Sequence, residues 1–589
     1  MFSGLKMILK LTGGVFFSRM DLLNMHKEIE KITKRAINDL SWDDVSGEIS
    51  IPKNTDHGDY SSSAPLKIAK LNGSDPMDVA KAMAEKIAGY DENGIEKVEA
   101  VTPGFVNFFL SRNRIKSDLL DIIEKGDRYG SSRDGEGKAV VIDYSSPNIA
   151  KLFGVGHLRS TIIGQAIYNI YRFLGWECIG DNHLGDWGTQ FGKLISQIKR
   201  NGLEGDVGSL TIEELEELYI AFHRSAEKDP DLVEQGREWF KKLESGDKKA
   251  EKIWKACVDT SMREFERIYG MLGVKIDLAL GESFYAGMVG KIIDEMKERR
   301  LTKESEGALI VEFPKLPSLI LVKSDGTSIY LARDLAAIKY RIDKWNPELI
   351  IYEVGVDQSL YFRQLFETVD MLGWSAKTKL VHIAHGLVRW KHGKFSTRRG
   401  ETIHLESVLL ETIKRAREII DSSETSPDLS EDERSEVARM VGIGAIKYND
   451  LSQHYSRDII FDWDKMLNLK GNSAPYIQYT FTRTESVLQR SGDKVGADLE
   501  MENLNAEELA VLRRVRIFPQ MVEEAGRTFS PNVICNFLFD LAQSYNAMYS
   551  KHRIVGADNQ NIRVAITVAV NRVLKNGLTL LGIEAPERM

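Results

Sequence analysis

The sequence predicts an α/β protein built on a parallel, doubly wound sheet, preceded by an α+β domain and followed by an all-helical part. Three observations carry this. Between Ala139 and Val354, strand-like apolar runs alternate with long helical periods, the arrangement of parallel strands joined by crossover helices. Leu349–Val354 is apolar except for Glu353, as suits a strand buried on both faces. Beyond Leu405 the chain becomes almost wholly helical, with apolar residues at helical spacing in Val437–Tyr448, Glu507–Ala525, Val533–His552 and Arg563–Leu581.

At 589 residues the chain exceeds one core, and roughly three or four domains are expected. A net charge of −8 does not advertise a nucleic-acid binder, yet a local basic face can still carry phosphate contacts. Cys178, Cys257 and Cys535 lie too far apart for a C-x-x-C zinc pair and suggest no disulfide framework, so a reducing, cytoplasmic setting is expected. No run approaches the apolar length of a membrane span. Met1–Met20 is basic and free of acids; it reads as a dispensable extension (residues 1–24), with a targeting leader as the alternative.

In order, Asp21–Leu40 places Leu22, Ile29, Ile32 and Ala36 on one helical stripe. Residues 46–53 read as a short strand, His57–Ser61 as a turn, and Ala64–Leu71 as a helix. Asp75 caps a further helix with Pro76 in its first turn, where a missing N–H costs nothing. Glu96–Val101 and Gly104–Leu110 are strands joined through Thr102-Pro103-Gly104. These form a compact α+β domain over residues 25–130, and the charged segment Asp127–Lys138 reads as a linker. After the strand Ala139–Ile142, a helix runs over 157–174 and ends at Gly175, and a short strand lies near Cys178. The glycine density of Gly180–Gly192 implies close backbone approach or several tight bends. Leu210–Leu272 is a charged helical stretch to which no chemistry is assigned. Ala308–Phe313 and Ser318–Val322 read as strands, with a hairpin-type turn at Asp325-Gly326 before Tyr330.

The chemistry concentrates in Val140–Tyr171. A strand ends at Asp143, a bend rich in Ser, Pro and Asn follows, and Gly154-Val155-Gly156-His157 opens the helix. Bare N–H groups and the positive dipole end at such a helix start favour a bound phosphate, although glycines alone fit an ordinary tight βα turn equally well. A second loop, Gly393–Gly400, sets three cations and two hydroxyls between glycines and suits a clamp on phosphate charge; a solvated surface loop is the plain alternative. Their occurrence together in one α/β unit favours the phosphate reading.

These loops and several further motifs resemble the class I aminoacyl-tRNA synthetases, and more narrowly the arginyl-tRNA synthetases. The motifs are S-S-P-N-I-A-K at 145–151, H-L-R-S-T-I-I-G at 157–164, N-H-L-G-D-W-G-T-Q-F-G at 182–192, and Y-L-A-R-D-L-A at 330–336. G-N-S-A-P-Y-I-Q-Y at 471–479 and the terminal G-I-E-A-P-E-R-M extend the likeness, as do H-G-D-Y-S and P-G-F-V-N-F-F-L in the first domain.

The resemblance implies an N-terminal domain (25–130) touching the tRNA corner formed by the D-loop and a Rossmann-type catalytic domain with a helical insertion (131–405). A helical linking region (406–470) and an all-α anticodon-binding domain (471–589) complete it. It implies ATP-dependent attachment of L-arginine to its cognate tRNA through an adenylate, with tRNA bound first. ATP acts with Mg2+; no zinc, no protein-bound metal site and no membrane are involved, and the protein is a monomer. Lys151, His157 and Lys394 are implied to be catalytic, and Gly154, Gly156, His157, Lys394, Ser396 and Thr397 to hold ATP. Asp143, Ser145, Asn148, Tyr330, Asp334 and Gln358 are implied to bind arginine, because a guanidinium calls for planar carboxylate acceptors. Tyr330 and Asp334 lie one helical turn apart and can face one pocket. Tyr476, Tyr545, Asn546, Lys551 and Arg553 are implied tRNA contacts, the aromatics by stacking on splayed bases.

Two positions depart from the family pattern. Gly154 stands where the first histidine of H-x-G-H is usual, and Thr397 where K-M-S-K has its second lysine, for which Lys151 is thought to substitute. Gly154 supports an alternative, a tRNA-binding relative that does not charge; intact Lys151, His157 and Lys394 speak against it. A small-molecule nucleotidyltransferase would be shorter and lack the helical part.

Overall fold

The computed structural model describes residues 25–42, 45, 49–52, 55–90, 94–324, 330–390, 404–423, 428–492 and 499–589. It divides into two compact units, one comprising the chain to Leu120 with Glu500–Leu504, the other Asp121–Leu499 with Asn505–Met589.

In the first unit, helix α1 (Met25–Asp39) precedes strands β1 (Ile49–Ser50) and β2 (Tyr60–Ser62), helices α2 (Ala64–Asn72) and α3 (Pro76–Ala88), strands β3 (Ile95–Val101) and β4 (Phe105–Leu110), and the start of α4 (Arg112–Lys125). The sheet is ordered β1-β2-β4-β3, with each neighbouring pair antiparallel. The α1 stripe Ile29, Ile32 and Ala36 is buried as expected, and Asp75 accepts from the Met77 N–H at the start of α3. Of the strand expected over 46–53, the described part pairs only at Ile49–Ser50. The expected turn His57–Ser61 is corrected: Tyr60–Ser62 is a strand. Gly58 turns the chain at φ +84°, and the Asp59 N–H and carboxylate both bond to β4 backbone (2.8 and 2.9 Å), drawing the next residues into the sheet.

The second unit contains β5 (Ala139–Asp143), α5 (Gly156–Phe173), β6 (Glu177–Asp181), α6 (Thr189–Arg200), α7 (Ile212–Ala226), α8 (Asp231–Glu244), α9 (Lys248–Leu272), α10 (Glu282–Tyr285) and α11 (Val289–Glu298). A three-stranded antiparallel sheet, β7 (Lys303–Ser305), β8 (Ala308–Val311) and β9 (Leu319–Val322), follows. Then come α12 (Tyr330–Trp345), β10 (Leu349–Gly355), α13 (Ser359–Met371), β11 (Lys379–His385) and β12 (Val388–Trp390). The central sheet is wholly parallel, ordered β11-β10-β5-β6. Val141, Ile179 and Ile350 pack into a core with α12 and α13, while Val140, Ile142 and Ile351, alternating with them, are equally buried on the other face. Two-sided burial explains the unbroken apolar strands. On the α5 side a Cβ at Gly164 would lie 2.3 Å from Tyr144 Cβ, so glycine lets α5 lie close to the chain leaving β5.

The remainder comprises α14 (Leu405–Asp421), α15 (Glu431–Leu451), β13 (Ile459–Phe461), α16 (Trp463–Met466), α17 (Ala474–Ser491), α18 (Ala506–Arg516), α19 (Phe518–Thr528), α20 (Asn532–Lys551) and α21 (Gln560–Leu580). Its one described strand, β13, pairs parallel with β12. Two expectations are corrected. Glu507–Ala525 is not one helix: Pro519 lacks an N–H and its ring clashes with the preceding turn, so the chain breaks between α18 and α19. Asp127–Lys138 is not a loose linker: Tyr129 is buried, donates to the Val515 and Arg516 carbonyls at 3.2 Å, and stacks on Phe518. The expected turn at Asp325-Gly326 and the extension 1–24 lie outside the described residues.

Candidate active site

The site is built at the carboxyl edge of the parallel sheet, where open α/β folds bind ligands. Register sets Tyr352 of β10, Asp143 of β5 and Asp181 of β6 side by side on three neighbouring strands. One fully buried guanidinium ties them together. Arg341 of α12 donates to Asp143 at 2.7 Å, to Asp181 at 2.7 and 3.1 Å, and to the Tyr352 hydroxyl at 3.0 Å. Burial opposes the charge, but the two carboxylates outweigh it and hold Arg341 well above its ordinary pKa. Sequence reasoning missed Arg341 and Asp181.

This pairing bears directly on Asp143. Its carboxylate serves an internal guanidinium and accepts from Ser146 Oγ at 3.0 Å. Ser145 is likewise committed: buried, with its hydroxyl bonded to Tyr269 and Thr161, each at 2.8 Å. Both residues support the pocket wall rather than presenting free acceptors. The bend is held under strain, since Ser145 and Ser146 have φ +75° and +46°, a region costly for residues with a Cβ.

Asp334 is different. It sits four residues after Tyr330 on α12, is a quarter exposed, and accepts from the buried Tyr361 hydroxyl of α13. His183 Nε2 approaches its other oxygen at 3.5 Å. Burial pushes the His183 ring down, but the interactions with Asp334 and the charge of Asp143 more than offset it and raise its pKa to about 9. Nearby Glu282, pushed up to about 7 by burial against the pull of Arg333, meets that guanidinium at 3.0 Å. Tyr330 is exposed, with Arg333 over its ring. Asn148 and Gln358 are exposed, Asn148 in the bend bridged to Gly185 and Gln358 just after β10. Thus Asp334 and Tyr330 share a site with His183, Tyr361 and Glu282, three residues sequence reasoning did not assign. His183 stood within the glycine-dense segment that was singled out; Tyr361 carried no signal.

Beside this pocket, α5 begins without any side-chain cap; the His157 and Leu158 N–H groups donate to the Gly154 and Val155 carbonyls at 3.0 and 3.1 Å, and the positive end of the helix favours an anion there. A Cβ on Gly156 would meet nothing within 4 Å, so the space above the turn is open. His157 Nδ1 is buried without a partner among the described residues. Burial pushes this ring below its usual pKa, and Lys151 and His385 push the same way, so it is neutral at neutral pH. Lys151 is exposed, its ammonium 5.5 Å from the Tyr219 ring centre. Gly154 is buried, its carbonyl accepting from the His157 N–H at 3.0 Å. Lys394, Ser396 and Thr397 lie outside the described residues.

Among the expected RNA contacts, Tyr545 is corrected. It is fully buried, with its hydroxyl on Thr567 of α21, and is core. Asn546 is half-buried and bonds to the Tyr476 hydroxyl, Thr480 and Arg483. Arg483, which was not assigned, lies between the rings of Tyr479 and Tyr549, 4.8 Å from each centre, and Tyr479 is 40% exposed. Lys551 is paired with Glu507 at 2.6 Å but remains largely exposed, and Arg553 is exposed. Replacing Tyr479 or Tyr549 with Ala is expected to weaken tRNA binding by about 1–3 kcal/mol, the worth of one stacked base, without lowering the melting temperature. Tyr545→Ala should do the reverse. Filter binding and thermal melting distinguish them.

Comparison with known families matches residues 118–463 to the catalytic domain of class I (R) tRNA synthetases, 477–589 to the DALR anticodon binding domain, and 25–110 to the arginyl tRNA synthetase N terminal domain. The chain is 41% identical to an arginine–tRNA ligase of Chloroflexus aggregans, covering 89% of this chain and 92% of the relative. It is 39% identical to one from Clostridium acetobutylicum, covering 95% and 100%. The arginyl-tRNA synthetase structure from Plasmodium falciparum aligns with TM-score 0.83 at 25% identity, over 96% of this chain and 99% of that one. The Thermus thermophilus structure, at 23% identity and TM-score 0.81 over 96% and 100%, shares the fold. The chain belongs to the arginyl-tRNA synthetase family.

Proposed function

We infer that this chain attaches L-arginine to its cognate tRNA in two steps, through an arginyl-adenylate. The observation that carries this is the ordered match to all three family domains, together with arginine–tRNA ligase relatives spanning nine-tenths of the chain. In the first step the arginine carboxylate attacks the α-phosphate of ATP in line and pyrophosphate leaves; in the second a hydroxyl of the terminal tRNA ribose attacks the carbonyl and AMP leaves. Such chemistry asks the protein for positioning and charge neutralisation more than for covalent participation.

In this reading Asp334 accepts the substrate guanidinium. His183 and the Tyr361 hydroxyl hold that carboxylate in place, and Tyr330 closes the pocket beside it. Asn148 and Gln358 take the amino-acid end. Neutral His157 and the backbone around Gly154 and Gly156, where α5 begins, meet phosphate oxygens, while Lys151 and the loop with Lys394, Ser396 and Thr397 neutralise charge on the leaving pyrophosphate. ATP enters with Mg2+ as substrate. Tyr476, Asn546, Lys551 and Arg553 line the RNA side, with the Tyr479–Arg483–Tyr549 stack added. Residues 25–130 touch the tRNA corner, 131–405 carry the chemistry, 406–470 link, and 471–589 read the anticodon. We assign a cytoplasmic monomer.

The test is arginine-dependent exchange of labelled pyrophosphate into ATP by the full chain. Exchange is expected with cognate tRNA and is strongly reduced without it. Folded protein that binds tRNA but exchanges under neither condition would replace this reading with that of a non-charging relative.

A further inference from the structure

Glu353 is the single acid in the apolar strand β10, and it is buried with 1% of its surface exposed. A carboxylate so placed requires a partner. The partner is His385, the last residue of β11, whose Nδ1 lies 3.1 Å from both Glu353 oxygens. Register sets His385 beside Gly355 at the carboxyl edge of the sheet. Its Nε2 makes no hydrogen bond among the described residues, and it lies 3.7 Å from where a Gly355 Cβ would be. Gly355 adds no side chain there, and the Asp357 carboxylate borders the same point, its Oδ1 2.6 Å from it. His385 is also close enough to the first turn of α5 to depress His157 through its charge.

We propose that His385 is a catalytic residue of arginine activation, its imidazolium donating from Nε2 to a phosphate oxygen of ATP while Glu353 holds the ring. The proposal rests on the reading of this chain as an ATP-dependent arginine–tRNA ligase. In the step, the substrate carboxylate oxygen forms a bond to the α-phosphorus, and the bond from phosphorus to the bridging oxygen breaks. The electron pair leaves with pyrophosphate. His385 forms no covalent bond and loses no proton; it stabilises the charge on phosphate oxygens. The same edge lacks a side chain at Gly154, so His385 supplies an imidazole where the β5–α5 turn has none.

The electrostatics suit this role. With Glu353 accepting Nδ1–H, Nε2 carries a proton only in the imidazolium form. Burial pushes His385 down and Arg159 opposes its charge, but Glu353, by charge and hydrogen bond, and Asp450 outweigh them and raise its pKa. Arg159 of α5 and Asp450 of α15 largely cancel, being joined by bonds of 2.9–3.1 Å. The other charged and titratable neighbours are His157 of α5 and His382 of β11, both depressed, and Asp357, whose carboxylate borders the same Gly355 position. A buried ion pair is a poor source of stability, so a pair with one free nitrogen at a ligand edge fits chemistry better than scaffolding.

The experiment is tRNA-dependent pyrophosphate exchange by the full chain over a range of pH. Because His385→Ala strands Glu353, the main variant is the double Glu353→Val with His385→Phe, which replaces the pair with apolar groups. It is expected to melt near the wild type, to keep its KM for arginine, and to lose about 10²-fold in kcat, the worth of one positioned phosphate or oxyanion donor. Glu353→Gln is expected to move the alkaline limb of the pH profile to lower pH, since it removes the charge that raises His385; a structural role would leave that limb in place. A folded double variant exchanging at the wild-type rate, or an unmoved limb in Glu353→Gln, overturns the proposal. Failure of the wild type itself to exchange overturns the functional reading instead.

Discussion

Asp334→Asn is expected to lower kcat/KM for arginine by about 10³-fold while KM for ATP changes little, because a charge-assisted acceptor for a guanidinium becomes a neutral amide with one donor face. Two groups converge on this carboxylate. Tyr361 and His183 satisfy its in-wall contacts, and its exposed portion is left for the substrate. Loss of the charge also removes one of the two carboxylates that keep His183 protonated, so that ring falls from about 9 while Asp143 still raises it. The pH consequence follows. The raised His183 contributes stability that is complete below about pH 6.5 and disappears as pH rises through about 9. Wild-type stability should therefore decline across this window, and Asp334→Asn should flatten the decline. Steady-state kinetics with arginine and ATP varied separately, and melting between pH 6 and 10, check both parts. Equal losses for arginine and ATP would remove Asp334 from the guanidinium pocket.

Arg341→Met carries the largest expected loss of stability. The substitution leaves Asp143 and Asp181 adjacent and buried without their shared cation, and stranding buried charge costs about 3–5 kcal/mol. Arg341→Lys should recover only part, because one ammonium cannot reproduce a fork reaching two carboxylates and the Tyr352 hydroxyl. Denaturation midpoints of the three proteins test this. A Met variant as stable as the wild type would mean that the two acids do not depend on Arg341 for stability.

Periodicity and turn chemistry revealed much of the fold. The central strands were legible because two-sided burial leaves a nearly unbroken apolar run, and α5 because its period is long and its ends carry glycine. The break before Pro519 was equally visible and was overlooked in favour of the apolar period around it. What sequence could not reveal was the partner of each polar group. Arg341 follows Lys339 and precedes Lys344 on α12, and looks like another cation on a solvated helix; only strand register brings two acids beneath it. The same holds for Asp143, whose match to the family motif says nothing about an internal guanidinium. Tyr545 and Tyr549 lie one turn apart on α20, yet the first meets Thr567 of α21 and is sealed, while the second flanks Arg483. Helical spacing cannot divide those fates, because packing of a neighbouring helix decides them.

Helix α5 has two ends with different obligations. At its start stand Gly156 and His157. Three turns later Asn169 donates to the carbonyls of Thr579 and Leu580 at the end of α21, and Tyr171 donates to the Gly526 carbonyl of α19. Eighteen residues of α-helix form a rod about 27 Å long with no proline to bend it. A shift of α19 and α21 must therefore either break those bonds or carry the rod, and with it the phosphate-side turn. A ligand gripped by the helical domain thus has a mechanical hold on the turn at Gly154–His157, the end to which the proposed function assigns the phosphates.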